Sequence, residues 1–133
     1  MDDVILIVDE NPGIQRSLKR FLTQSGYVVI TADSAQTAIQ IINQTLPSLV
    51  ILDIKMPIND GMELINAINE SDHSLPIIIM TAYPTSFTRK KALEYGINAY
   101  VTKPFDPEEI LRYIHQLLSV RERLTELVES AAL

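Results

Sequence analysis

Two apolar runs of this chain end in acidic residues. The run at 4–8 leads into Asp9 and Glu10, and the run at 49–52 leads into Asp53. Continuous apolar runs of this length are typical of strands that are buried on both faces of a parallel sheet. Ligands of open α/β sheets bind at the carboxyl ends of the strands. We therefore expect the three acids to converge there if the two strands are neighbours.

Carboxylates held this close together need a compensating cation. The ligands are hard oxygens, with no His or Cys among them, which favours Mg²⁺, or Mn²⁺ as its substitute, over zinc. Mg²⁺ is usually held by one or two carboxylates together with water and phosphate oxygens. The acidic cluster therefore predicts a site where a metal ion and a phosphoryl group meet.

Two further strand patterns end in residues that can contact a phosphoryl group. The run at 77–80 is followed by Thr81, which has a hydroxyl, and the run at 99–102 is followed by Lys103, which is cationic. Phosphoryl transfer depends mainly on positioning and on neutralising the charge of the transferred group. We interpret Asp53 as the nucleophile, forming an aspartyl phosphate.

Each of these residues, taken alone, has an ordinary structural explanation. Acids near a helix start interact favourably with its dipole, a threonine after a strand often caps a turn, and a lysine is usually solvated. The functional interpretation therefore depends on the occurrence of all of them at corresponding ends of four strands.

The segments between the strands have helical patterns with start and stop signals. Asn11-Pro12 precedes the first helix and Gly26 follows it. Asp60 and Glu63 have the spacing of a capping box, and the helix predicted at 85–95 has only a thin apolar stripe. Five strands alternating with five helices through short connections predict a parallel sheet with right-handed crossovers.

Composition narrows the class of protein. The chain has 133 residues, of which 47% are hydrophobic, so we expect one domain with a substantial core. No apolar run reaches the roughly 20 residues of a membrane helix, and the acidic start is unlike a signal peptide. The net charge of −6 argues against direct nucleic-acid binding. The absence of cysteine fits the cytoplasm.

The motifs at the strand ends resemble those of receiver domains of two-component response regulators. The resemblance covers residues 4 to about 120. Its motifs are Val8-Asp9-Glu10, Leu52-Asp53-Ile54-Lys55-Met56-Pro57 with Gly61, Met80-Thr81-Ala82, and Lys103-Pro104-Phe105. It implies a three-layer α/β/α sandwich with a flavodoxin-like, five-stranded parallel sheet in the order 2-1-3-4-5. It also implies a switch rather than an enzyme, phosphorylated on Asp53 by a histidine kinase or phosphotransfer protein.

The same resemblance assigns the contacts of the site. Asp9, Glu10, Asp53 and the backbone carbonyl of Lys55 are expected to hold Mg²⁺, while the Ala82 backbone contacts the phosphoryl group. The chain departs from the family pattern at Glu10, where the second acid is usually Asp. Since Mg²⁺ demands strict geometry, the longer side chain predicts weaker metal binding or coordination through water.

The remaining roles implied by the resemblance concern switching. Thr81 and Tyr100 match a pair that reorients on phosphorylation, which would alter the face made by the 85–95 helix, the last strand and the last helix. This face would control an output domain or partner. Lys55 and Tyr83 would flank the phosphoryl group and tune its lifetime, and the Lys103-Pro104 peptide bond is expected to be cis.

The C-terminal helix continues past the point where a compact domain ends. We divide the chain into a receiver domain at 1–120 and a helical extension or linker at 121–133. Residues of the last helix follow heptad spacing with one polar break: Ile110, Ile114, Leu117, Arg121, Leu124, Val128 and Ala131. The helix therefore either forms a coiled-coil homodimer, leading toward an output domain, or folds onto its own domain or a partner. The ordinary alternative is a frayed, disordered end.

Two other functional classes compete with the switch. A phosphatase or phosphotransferase with an aspartyl intermediate would need a substrate pocket or cap insertion, which the short connections do not provide. A flavin or nucleotide binder on this fold would need a glycine-rich phosphate loop, and the chain has only 4 glycines.

Overall fold

The computed structural model describes residues 3–54, 59–70, 75–82 and 85–131. Ten elements alternate strictly between strand and helix. They are β1 (Val4–Val8), α1 (Pro12–Gln24), β2 (Val28–Ala32), α2 (Ala35–Gln44), β3 (Leu49–Asp53), α3 (Asn59–Glu70), β4 (Ile77–Thr81), α4 (Ser86–Glu94), β5 (Ala99–Thr102) and α5 (Pro107–Ala131).

The five strands form one parallel sheet in the order β2-β1-β3-β4-β5. This confirms the predicted flavodoxin-like topology. The register places Val8 beside Leu52 and Asp53 beside Met80, so β1, β3 and β4 end close to one level. Thr81 in turn pairs with Thr102 of β5. The residues that follow these strands are thereby brought to the same edge of the sheet.

Apolar side chains alternate between the two faces of the sheet and form two separate cores. On one face the strands pack against α1 and α5, through residues such as Leu18, Leu22, Ile110 and Ile114. On the other face they pack against α2, α3 and α4. Because both faces are covered, the central strands are apolar throughout, which explains why they appear in the sequence as continuous runs.

Local sequence signals fix both boundaries of α1. The Asn11 side chain accepts hydrogen bonds from the backbone N–H groups of Gly13 and Ile14, as expected of an N-cap before Pro12. Gly26 ends the α1 region with a φ of 102°, a left-handed conformation that favours glycine. The α1 boundaries are therefore encoded locally.

Three boundaries differ from the sequence prediction. The capping box at Asp60 is wrong, because α3 begins at Asn59 and Asp60 lies within the first helical turn. The β-branched run at 27–31 predicts the second strand, which the structure places one residue later, at Val28–Ala32. The fourth helix is one residue shorter at each end than 85–95. None of these shifts moves a strand end that carries a site residue. No helix in the described ranges is both long enough and apolar enough to cross a membrane.

Candidate functional site

A lysine connects two buried carboxylates at the carboxyl edge of the sheet. The Lys103 ammonium lies 2.9 Å from Asp53 Oδ1 and 3.2 Å from Asp9 Oδ2. The side chains of Asp9 and Asp53 are 0% and 4% exposed, and that of Lys103 is 14% exposed. Three residues from the ends of β1, β3 and β5 therefore meet, as their positions after the strands predict.

The charges of this cluster do not balance. Two carboxylates share the Lys103 ammonium, so these three described side chains together carry a formal net charge of −1 in a nearly water-free position. Buried charge is costly unless it is paired, and like charges this close disfavour each other. The Asp9–Asp53 pair is therefore suited to a second cation, and its hard oxygen donors are those that Mg²⁺ prefers.

The third predicted acid behaves differently from the first two. Glu10 is exposed, whereas Asp9 is buried. Across residues 3–54, 59–70, 75–82 and 85–131, no three His, Cys, Asp or Glu side chains are grouped as a metal site would require. The structure thus brings together two acids of the predicted three. Lys55, whose carbonyl the resemblance adds to the metal site, lies outside the described residues.

Backbone and side-chain hydrogen bonds fix the position of Asp9. Its Oδ1 accepts from the Asn11 backbone N–H at 2.9 Å, and its own N–H donates to the carbonyl of Ala32 at 3.1 Å. The Gln15 side-chain amide donates to the carbonyls of both Asp9 and Ala32. Gln15 thus connects the ends of β1 and β2 from the first turn of α1.

Sequence reasoning missed this role of Gln15. The one available signal is a long amide side chain in the first turn of the helix that follows the acidic pair. Glutamine is so common on exposed helix faces that this signal alone does not identify a positioning residue.

The predicted switch residues lie close together beneath α4. Thr81 is 2% exposed and its carbonyl accepts from the Lys103 backbone N–H at 2.7 Å. Thr81, Tyr100 and Ala92 line a cavity of about 10 Å³, which is about one water-probe volume. A tyrosine ring cannot enter that space unless Thr81 or α4 moves. The Arg89 guanidinium of α4 lies 5.3 Å from the centre of the Tyr100 ring.

Three further predicted features have different outcomes. The Lys103–Pro104 peptide bond is cis in the structure. Tyr83, assigned to tuning of the phosphoryl lifetime, lies outside the described residues. Ala82 is exposed at the end of β4, on the same side of the sheet as Thr81 and Lys103.

An open apolar cavity lies beside Lys103. Its volume is about 480 Å³, within the range of small-molecule and peptide-binding clefts. Its walls come from the start of α1, the end of β4 and the β5–α5 connection: Gly13, Ile14, Ser17, Leu18, Ala82, Lys103, Pro104, Phe105 and Pro107. Lys103 and Ala82 are the members of the predicted site that line this cavity, whereas Asp9 and Asp53 do not line it.

Comparison with known families decides the classification. The sequence model described as "Response regulator receiver domain" matches residues 5–115. The chain belongs to this family. The match runs from β1 into the first part of α5 and includes Asp9, Asp53, Thr81 and Lys103.

Individual relatives agree with the receiver classification. The chain is 39% identical over 114 residues to an uncharacterized 14.6 kDa protein of Leptolyngbya boryana, covering 84% of this chain and 87% of that protein. It is 34% identical to the alkaline phosphatase synthesis transcriptional regulatory protein PhoP of Bacillus subtilis, covering 89% of this chain but 49% of PhoP. The receiver thus spans about half the length of the full regulators it matches.

Solved structures show the same fold. The CheY-like response regulator receiver domain of Methanospirillum hungatei has a TM-score of 0.86 and 30% identity, covering 92% of this chain and 98% of that one. The receiver domain of a LuxO-type repressor from Vibrio parahaemolyticus has a TM-score of 0.87 and 25% identity, covering 97% and 98%. This receiver is accordingly a phosphoacceptor switch of two-component signalling rather than a conventional enzyme, and its family generally uses Mg²⁺.

Proposed function

We propose that Asp53 is the residue that accepts the phosphoryl group. The observation that carries this proposal is the contact of the Lys103 ammonium with both Asp53 and the buried Asp9. A nucleophile must be held in a fixed orientation, and the negative charge of the transferred phosphoryl group must be neutralised. Asp53 ends a strand buried on both faces and is within 2.9 Å of a cation, which meets both requirements.

The chemistry follows from the groups around Asp53. A carboxylate oxygen attacks phosphorus and forms an acyl phosphate, while the bond from phosphorus to the donor breaks and the donor keeps the electron pair. Lys103 neutralises oxygens of the transferred group, the Thr81 hydroxyl donates a hydrogen bond, and the Ala82 backbone N–H offers another donor. Mg²⁺, when bound, neutralises developing charge; Asp9, Asp53, Glu10 and the Lys55 carbonyl would hold it.

Acetyl phosphate provides a direct test of the acceptor. With Mg²⁺ present, the wild-type chain is expected to gain one phosphoryl mass in intact mass spectrometry, and Asp53→Asn is expected to gain none. Asp106→Asn serves as the matched control, because Asp106 is an exposed carboxylate outside the cluster. An equal adduct on Asp53→Asn would refute the assignment.

Metal binding is expected to stabilise the folded chain because it balances the two buried carboxylates. At a Mg²⁺ concentration about 100 times its Kd, the free energy of unfolding should rise by about 2.7 kcal/mol. Asp9→Asn should remove most of this gain, which urea denaturation with and without Mg²⁺ measures.

Glu10→Asp should bind Mg²⁺ roughly tenfold more tightly if the extra methylene weakens coordination. Unchanged affinity in Glu10→Asp would show that the longer side chain has no cost.

We further propose how the phosphoryl group is read out. It would draw the Thr81 hydroxyl toward Asp53 and vacate space that the Tyr100 ring can enter, thereby displacing α4. The face made by α4, β5 and α5 would then differ between the two states and control an output domain or partner protein. Lys55 and Tyr83 would flank the phosphoryl group and set its lifetime, since a bulky side chain obstructs attacking water.

The partners follow from this switch. A histidine kinase or phosphotransfer protein would supply the phosphoryl group, and the chain itself would catalyse transfer to and loss from Asp53. A cytoplasmic location matches this partnership. Residues 1–120 would form the receiver and 121–133 a helical extension that contacts either a second copy or an output partner.

A further inference from the structure

The Gln15 side chain fixes the backbone of Asp9 from the first turn of α1. Its amide nitrogen donates to the carbonyl of Asp9 and, at 3.1 Å, to the carbonyl of Ala32. The Asp9 backbone N–H donates to the same Ala32 carbonyl at 3.1 Å. Both polar groups of the Asp9 backbone are therefore held at the end of β2, the N–H directly and the carbonyl through Gln15.

Gln15 also closes the connection between β1 and α1. Its backbone N–H donates to the Asn11 carbonyl at 3.1 Å, and the Asn11 backbone N–H donates to Asp9 Oδ1 at 2.9 Å. Residues 9–15 thus form a loop that three hydrogen bonds close. Glu10 lies within this loop, so Gln15 restrains the backbone of both neighbouring acids that are predicted to bind the metal ion.

The backbone position of Asp9 decides where its carboxylate lies. The side chain is 0% exposed, and its Oδ2 lies 3.2 Å from the Lys103 ammonium. Such a short side chain follows any shift of its own backbone, which would displace a metal ligand. Mg²⁺ demands near-ideal octahedral geometry, and mutation of a residue that orients a metal ligand typically changes metal affinity by roughly 10–100-fold.

We propose that Gln15 is a positioning residue of the phosphoacceptor site, which sets the affinity for Mg²⁺ by holding the Asp9 backbone. Its amide nitrogen donates to two backbone carbonyls, so it acts through Asp9 and not by contacting the metal ion. This role rests on the proposed metal site. It differs from a role in stability, because a residue that only packs α1 on the sheet would leave the metal affinity of the folded chain unchanged.

Gln15→Met tests this role, because methionine keeps the length of the side chain and removes both N–H donors. The Kd of the variant for Mg²⁺ should rise about tenfold, which isothermal titration calorimetry measures. Gln15→Asn keeps the amide on a shorter stem and should also raise the Kd, so it serves as the second variant if Gln15→Met does not fold. Circular dichroism verifies the fold of each variant.

Two control variants separate positioning from the loss of a hydrogen bond elsewhere. Ser48→Ala removes the hydroxyl that accepts from the Val4 backbone N–H at 3.0 Å, at the opposite end of β1. Gln24→Met makes the same substitution at the exposed end of α1. Both controls should bind Mg²⁺ within about a factor of two of the wild type. Equal weakening in Ser48→Ala would show that Gln15 acts only through stability.

The rate of adduct formation from acetyl phosphate provides a second measurement. In Gln15→Met the Mg²⁺ concentration that gives the half-maximal rate should rise about tenfold. The rate at saturating Mg²⁺ should stay within about a factor of two of the wild type, because the groups around Asp53 are unchanged. A lower saturated rate with an unchanged half-saturating concentration would contradict a role in metal binding.

Amide exchange in metal-free buffer tests the positioning itself. The Asn11 N–H, whose acceptor is Asp9 Oδ1, should exchange about tenfold faster in Gln15→Met and at the wild-type rate in Ser48→Ala. Unchanged exchange of this N–H, or an unchanged Kd for Mg²⁺, in Gln15→Met would overturn the proposal. Failure of the proposed metal site is distinguishable, because the wild type itself would then bind no Mg²⁺, which would refute this role as well.

Discussion

Replacing Lys103 by methionine is expected to slow the formation of the Asp53 adduct by about 10²–10³-fold, the effect of removing one group that stabilises transition-state charge. Methionine keeps much of the apolar stem but has no charge. The variant removes the ammonium that lies 2.9 Å from Asp53, and with it the positive charge that neutralises the transferred oxygens and contacts both carboxylates. The rate of adduct formation from acetyl phosphate, followed by intact mass spectrometry, measures the loss.

The control for this experiment is Lys90→Met, which removes an exposed lysine of α4. It should leave the rate within a factor of two of the wild type, because solvent screens its charge. An undiminished rate in Lys103→Met, with the fold retained, would show that the lysine has no part in the transfer.

The second large effect expected of Lys103→Met is on the free energy of unfolding. It depends on the same charges, those of Asp9, Asp53 and Lys103. In Mg²⁺-free buffer, Lys103→Met should lower the free energy of unfolding by about 3 kcal/mol, because it removes the cation that contacts both buried carboxylates. Asp53→Asn should instead raise it by about 1 kcal/mol, because Lys103 then balances Asp9 alone. Urea denaturation at one pH measures both changes.

The double variant separates electrostatics from packing. If charge causes the loss, Lys103→Met with Asp53→Asn should be more stable than Lys103→Met alone, with a coupling energy of about 1–3 kcal/mol. Additive effects would mean that the lysine stem, rather than its charge, accounts for the loss. The double variant has less unbalanced buried charge than Lys103→Met alone. It can therefore still be measured if Lys103→Met folds poorly.

The topology and most of the site could be predicted because the relevant signals are local. Strands buried on both faces must be apolar throughout, so the sequence marks each of them, and the first polar residue after each marks the sheet edge. Asp9, Asp53, Thr81 and Lys103 are all found this way. Their convergence then follows from the parallel pairing of neighbouring strands.

What the sequence could not predict depends on contacts between distant segments. Gln15 connects the carbonyls of Asp9 and Ala32, yet its own surroundings in the chain are those of an ordinary helix residue. The difference between buried Asp9 and exposed Glu10 likewise reflects which way each side chain leaves the strand end.

The central claim is that the phosphoryl group is carried by Asp53, and reductive trapping tests it at the level of a single residue. Borohydride reduces an acyl phosphate to an alcohol with release of phosphate, which converts a phosphorylated aspartate into homoserine. After treatment with acetyl phosphate and Mg²⁺, tandem mass spectrometry of the peptide containing β3 should find homoserine at position 53. Homoserine at position 9, or a reduced glutamate at position 10, with Asp53 unmodified, would contradict the account.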